Sequence, residues 1–210
     1  MMRLTAQLTT LLFALALSGS QVAATESKSQ IRKLDFRNFT YSGIWLNGDF
    51  HLKDGRAEVE SKGCHTEYTY QGADYLDLTG DGKEEALVYI RDWTACGSSG
   101  VATYYYVYTI QNNHPRLLWK FSTGSEASGG LKDFQLKGKE LVFELYGNYR
   151  IVGATAKAAA YPKLCCPDCC PEKYTRLYVA WNGRRFRQTK VEVFPFPYKS
   201  ISEYEAQKRR

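Results

Sequence analysis

The sequence predicts a mainly β fold of antiparallel sheets, a sandwich or open barrel, built from hairpins, with little helix and with disulfide staples. Three observations carry this expectation. Short runs rich in aromatic and β-branched residues recur along the chain, turn dipeptides such as Asp54-Gly55 and Asn182-Gly183 separate them, and six cysteines follow a leader-like N-terminus.

Residues 1–24 carry one cation, Arg3, an apolar centre from Leu11 to Leu17, and Val22-Ala23-Ala24 ahead of a small-residue cleavage point. This is the pattern of a signal peptide, so the mature protein is expected to be secreted or periplasmic. Its apolar centre is too short to span a bilayer, and no later segment offers about twenty uninterrupted apolar residues, so no transmembrane segment is expected. The whole chain has a formal net charge of +6, and losing Arg3 with the leader leaves +5. Dense basic patches occur only at Arg184-Arg185-Phe186-Arg187 and Lys208-Arg209-Arg210; they read as a solvated hairpin and a tail, and no nucleic-acid partner is expected.

Residues 25–30 are small and polar and form a flexible lead-in. Residues 31–198 make a single β-rich domain, and 199–210 a tail. Phe36, Phe39, Tyr41, Phe50 and Leu52 surround Asn47-Gly48 and Asp54-Gly55, which mark hairpin turns. Asn38-Phe39-Thr40 has the form of a glycosylation acceptor but reads as a strand start. Cys64, exposed His65, Tyr68, Tyr70 and Tyr75 alternate with polar residues as a half-buried strand does. Ala86 to Ile90 is apolar on both faces and belongs inside its sheet.

Asp92 to Gly100, with its glycines and serines, reads as a mobile connection into a strand from Val101 to Ile110. That strand carries Tyr104, Tyr105, Tyr106 and Tyr108, a pattern that suits sheet packing or a binding surface. Asn112 to Pro115 turns the chain into Leu117–Phe121, and Ser122 to Gly130 is the longest candidate functional loop. Leu131–Leu136 and Glu140–Tyr146 form a hairpin around Lys137-Gly138-Lys139, with Phe134 and Leu136 on the face of Leu141, Phe143 and Leu145. Alanines between 154 and 160 suggest a short helical turn. Tyr174–Trp181 and Arg184–Val193 close a last hairpin, and Ser200 to Arg210 is expected to be mobile or weakly helical.

One loop concentrates oxygen donors. Asp77, Thr79, Asp81, Lys83 through its backbone carbonyl, and Glu85 fall at positions 1, 3, 5, 7 and 9 of a calcium-loop spacing, with Gly82 at the sharp turn. Position 3 is Thr, and Val88 stands where a closing Glu belongs, so the same residues also suit a turn in which Asp77 and Asp81 accept backbone N–H bonds. Asp77-Leu78-Thr79-Gly80-Asp81-Gly82 with the following apolar strand resembles the repeat loop of FG-GAP and VCBS-type domains. The resemblance covers residues 77–90 and implies calcium. It does not imply a propeller, which needs several copies. A wider resemblance, through 36–41, this loop, 96–100, the tyrosine-rich strand and the late Cys-Cys-Pro element, is to secreted bacterial β-rich proteins of unknown function. It implies a shared domain and export, and no chemistry.

Cys64, Cys96, Cys165, Cys166, Cys169 and Cys170 suit three disulfides with fifteen pairings open. Adjacent cysteines pair poorly, so Cys64 and Cys96 are expected to reach the Cys165–Cys170 cluster. Cys166-Pro167-Asp168-Cys169 also has the form of a thiol-disulfide oxidoreductase motif, and four thiols so close could hold zinc or copper(I). No nucleophile elbow, zinc-protease helix or phosphate loop is present, and His51, His65 and His114 lack mutual spacing. The expected function is therefore an exported non-enzymatic binding or envelope-associated domain, calcium-stabilised at 77–85. It would present Tyr104–Tyr108 or the 122–130 loop to a protein or glycan; the alternative is a secreted oxidoreductase acting through Cys166 and Cys169.

Overall fold

A run of residues apolar on both faces can be satisfied only at the centre of a layered sheet, and the chain builds its layers around that run. The structure is a computed structural model and describes residues 30–209, except 44–47, 62, 97, 125–128, 148, 153–155 and 161–170. The leader, residues 25–29 and Cys165, Cys166, Cys169 and Cys170 lie outside the described residues. A short pair, β1 (Thr40–Tyr41) and β2 (Phe50–His51), precedes the long strands. These are β3 (Arg56–Ser61), β4 (Cys64–Leu76), β5 (Glu85–Cys96), β6 (Ser98–Gln111) and β7 (His114–Ser122). β8 (Leu131–Lys137), β9 (Glu140–Tyr146), β10 (Tyr149–Val152) and β11 (Ala156–Ala160) follow. The chain closes with β12 (Lys173–Trp181), β13 (Phe186–Pro195) and helix α1 (Ile201–Lys208).

Seven strands form one sheet in the order β10-β11-β7-β6-β5-β4-β3, and four form another in the order β13-β12-β9-β8. Apart from the short parallel pair β11 and β7, the ladders are antiparallel. Turn chemistry fixes the joints. Asn112 and Asn113 both adopt positive φ, 51° and 62°, the geometry of a two-residue hairpin whose twist matches that of β6 and β7. Pro115, lacking a donor, sits near the start of β7, beyond the two residues that β11 pairs.

Alternation along β5 and β6 feeds two cores. Leu87, Tyr105 and Val107 join Trp119 and Phe121 of β7 against the four-stranded sheet, where Phe143 packs with ring centroids 4.8 Å from Tyr105 and 4.9 Å from Phe121. Val88, Ile90, Tyr104, Tyr106 and Tyr108 face the other way, under Phe36, Tyr41, Phe50 and Leu52 of the N-terminal segment. β5 is thus interior to its sheet, as the apolar run predicts.

Three expectations change. Tyr104–Tyr108 are core residues, none more than 5% exposed, and are not a presented surface. Residues 92–96 and 98–100 are paired strand instead of a mobile connection, because β5 and β6 continue their ladder out to Cys96 and Ser98. Residues 156–160 are strand, not helical turn, since β10 and β7 supply partners that override alanine's helical preference. The tail takes the helical form of its two expected ones: the Ser200 hydroxyl accepts from Glu203 N at 3.1 Å while the Glu203 carboxylate accepts from Lys199 N at 2.7 Å.

Candidate functional site

Strand length decides where a sheet face goes uncovered. β4, β5 and β6 have 13, 12 and 14 residues, whereas β8 and β9 have seven each. At about 3.3 Å per residue, roughly half of the longer strands projects past the strands that face them. Cross-strand rows on that face change character along the way. Tyr89 opposes Tyr105, edge to face at 5.5 Å, with Phe134 of β8 against both. The next row is Thr69, Arg91 and Thr103, and the one after it Glu67, Trp93 and Val101. The face passes from core to polar groove within two residues on each strand.

A cavity of about 720 Å³ opens there, with Arg91, Thr103 and Tyr105 on the sheet, Tyr146 at the end of β9, and Glu205 on α1 opposite. A second, of about 310 Å³, carries the groove over Thr69 and Trp93; Gln71, Arg91 and Val101 line both. Trp93 is 42% exposed. The candidate loop contributes its two flanks. Thr123 exchanges hydrogen bonds with Thr103, and Gly129 and Gly130 pair with the Tyr146 backbone at 3.1 and 3.0 Å. Gly129, at φ +87°, lies so close to the Tyr149 ring that a Cβ would stand 2.9 Å from it. Residues 125–128 lie outside the described residues. α1 is held as a lip by Tyr204, which packs on Phe196 and Tyr198 and lies under the Lys132 ammonium.

The groups in the groove are donors. Burial first, and the nearby Glu205 and Tyr204 second, push the Tyr146 phenol up, so it stays protonated; its Oη is buried with no hydrogen-bond partner among the described residues. Burial likewise pushes the Tyr89 phenol up, and it donates to Asp74. Arg91 is exposed and forms no ion pair among the described residues. Asp92, its neighbour, turns to the opposite face, where its carboxylate accepts from Ala102 N at 2.8 Å and Tyr104 Oη at 3.0 Å.

The oxygen-rich loop is a closed turn. Asp77 accepts from Gly80 N at 2.6 Å and Gly82 N at 3.3 Å, and Asp81 from Lys83 N at 2.9 Å. Lys139 places its ammonium 3.3 Å from Asp77. Glu85 is buried beneath the turn, accepting from Leu78 N at 2.9 Å and Thr79 N at 3.0 Å, with the Thr79 hydroxyl at 3.4 Å. Glu84 points away and takes a two-pronged bond from Arg32 at 2.7 and 2.9 Å. Burial, and then the charge of Asp81, push the Glu85 carboxyl up to about 7 against those amide bonds.

Comparison with family models, curated proteins and solved structures finds no match. The sequence singled out the 122–130 loop, whose flanks Thr123 and Gly130 line the cavity, and did not single out Gln71, Arg91, Thr103, Tyr146 or Glu205. Their signal is the shared loss of apolar alternation on three adjacent strands, which becomes visible only once the strands are aligned.

Glu85 makes stability pH-dependent. Its folded-state proton affinity exceeds that of an ordinary carboxyl near 4.5, so the stability it contributes is complete below about 4.5 and is lost as pH rises through about 7. Thermal melts from pH 5 to 8 are expected to show a decline that Glu85→Gln flattens, the variant gaining about 1–3 kcal/mol on wild type across the range. Parallel profiles would remove the titration.

Proposed function

We propose that this chain is an exported, non-enzymatic binding domain whose groove on the bare half of β4, β5 and β6 takes a glycan. The observation that carries the reading is that groove, a cavity of about 720 Å³ lined by Arg91, Thr103 and Tyr146. Its extension sets an exposed indole, Trp93, beside Thr69 and Gln71. An indole offers a flat apolar platform for a sugar ring, and amide, hydroxyl and guanidinium groups answer ring hydroxyls. A protein-docking face would carry a broader apolar centre; the exposed large apolar side chains among the described residues are Trp93 and Val193. The Tyr89 and Tyr146 phenols of the groove are pushed up by burial and keep their protons, which supports binding over turnover. Export is supported by the leader pattern of residues 1–24.

Two finer features belong to the same proposal. Extending the His65–Ala95 pairing by one step would set Cys96 opposite Cys64 at the open end of the groove sheet, which supports a disulfide between them. A Cys64–Cys96 bond there would hold the bare strands together and contribute about 2–4 kcal/mol. Peptide mapping of the unreduced protein reads the pairing directly; linkage of either cysteine to the 165–170 segment would overturn it. Calcium is the second proposed ligand, at the 77–85 turn, favoured by the mutual repulsion of Asp81 and Glu85 that a cation would relieve. Adding about 1 mM calcium to metal-stripped protein should raise Tm by several degrees in wild type and not in Asp81→Ala. An unmoved Tm leaves Lys139 as the cation of a simple turn.

The groove reading is tested by ligand-observed NMR of the oxidised protein against neutral, acidic and amino oligosaccharides. Saturable binding of at least one class is expected, lost when Thr103→Trp fills the cavity and weakened about tenfold or more by Trp93→Ala. No binder in any class, or binding indifferent to both substitutions, overturns the reading.

A further inference from the structure

Resting on the glycan reading of the groove, we propose that its ligand is an acidic saccharide, recognised by a carboxylate seated on Arg91. Arg91 stands in the middle of the bare face, flanked in its own cross-strand row by Thr69 and Thr103, and lines both cavities. A guanidinium presents a planar fork that matches a carboxylate two bonds at a time. The arginines that close the fold, Arg32 and Arg176, already spend theirs on Glu84 and Glu144. Arg91 keeps its fork free even though two acids lie near it. Asp92 is turned to the opposite core, and Glu67, one row away, makes no ion pair with it within 4.0 Å.

The surroundings suit the rest of such a ligand. Hydroxyls of Thr69 and Thr103 flank the fork and can bond the ring hydroxyls next to a sugar carboxylate. Trp93, one row further out, gives the adjoining ring an apolar face to lie on. Tyr146 lines the inner cavity, and Glu205 on α1 is an acceptor for sugar hydroxyls across it. The two acids on the walls also select against a polyanion. Among the described lining residues one carboxylate finds one cation, Arg91, and a dense run of charge would meet Glu67 and Glu205.

The test uses the full oxidised protein and two probes, a glucuronic-acid-containing disaccharide and the same disaccharide with its carboxyl reduced to the alcohol. The acidic sugar should bind at least tenfold more tightly, with the advantage shrinking as salt is raised. Arg91→Gln should erase the difference between the probes, and Arg91→Lys should restore only part of it because an ammonium lacks the fork. Equal binding of the two sugars, or a preference unchanged in Arg91→Gln, overturns the acidic ligand and leaves the glycan groove standing. So does binding of neutral or amino sugars without binding of the acidic probe. If no saccharide of any class binds, the groove reading falls with it.

Discussion

Burial of β5 on both faces is the constraint from which the rest follows. A strand whose alternate side chains are all apolar must be covered twice, and the chain supplies two unlike covers. The four-stranded sheet brings Phe143 and Leu145 to one face, while the N-terminal segment brings Tyr41 and Phe50 to the other. Each cover is shorter than the strands it protects. The uncovered remainder of the first face cannot stay apolar in water, and it is there that Thr69, Arg91 and Thr103 replace the core series.

The polar devices near the core work in the same direction. Glu84 ties Arg32 of the N-terminal segment to the start of β5, and the next residue, Glu85, reaches the opposite way to hold the 77–83 turn. Two adjacent carboxylates therefore fasten a cover on one side and a turn on the other, as the alternation of a strand requires. On the four-stranded sheet Glu144, only 6% exposed, is met by both Lys132 and Arg176. A buried carboxylate that accepts three hydrogen bonds from two cations is tolerable where a lone one would be expelled.

Much of the fold was legible in the sequence where turn chemistry spoke. Lys137-Gly138-Lys139 and Asn182-Gly183 lie at hairpin turns, and Phe134 and Leu136 oppose Phe143 and Leu141 in the observed register. The errors share a cause. Gly and Ser at 98–100 and alanines at 156–160 have weak strand preference of their own and are held by the ladders they join, 98–100 against Thr94–Cys96 and 156–160 between β10 and β7. Tyr105 shows the same limit from the other side: its type suits a surface as well as a core, and only the arrival of Phe121 and Phe143 decides. The groove was the least legible part, because Arg91 and Tyr146 are 55 residues apart, as their numbers show, and meet through the stacking of two sheets.

The placement of two indoles gives the molecule built-in optical probes. Trp119 sits at 5% exposure in the core between the sheets, and Trp93 at 42% beside the groove. A small collisional quencher in solution can reach the second and not the first. Emission from the accessible indole would follow occupancy of the sheet face while the protein stays folded, and emission from the shielded one would report loss of the core. With the other two tryptophans, Trp45 and Trp181, replaced by Phe, one spectrum would separate the two events that a melting curve alone would merge.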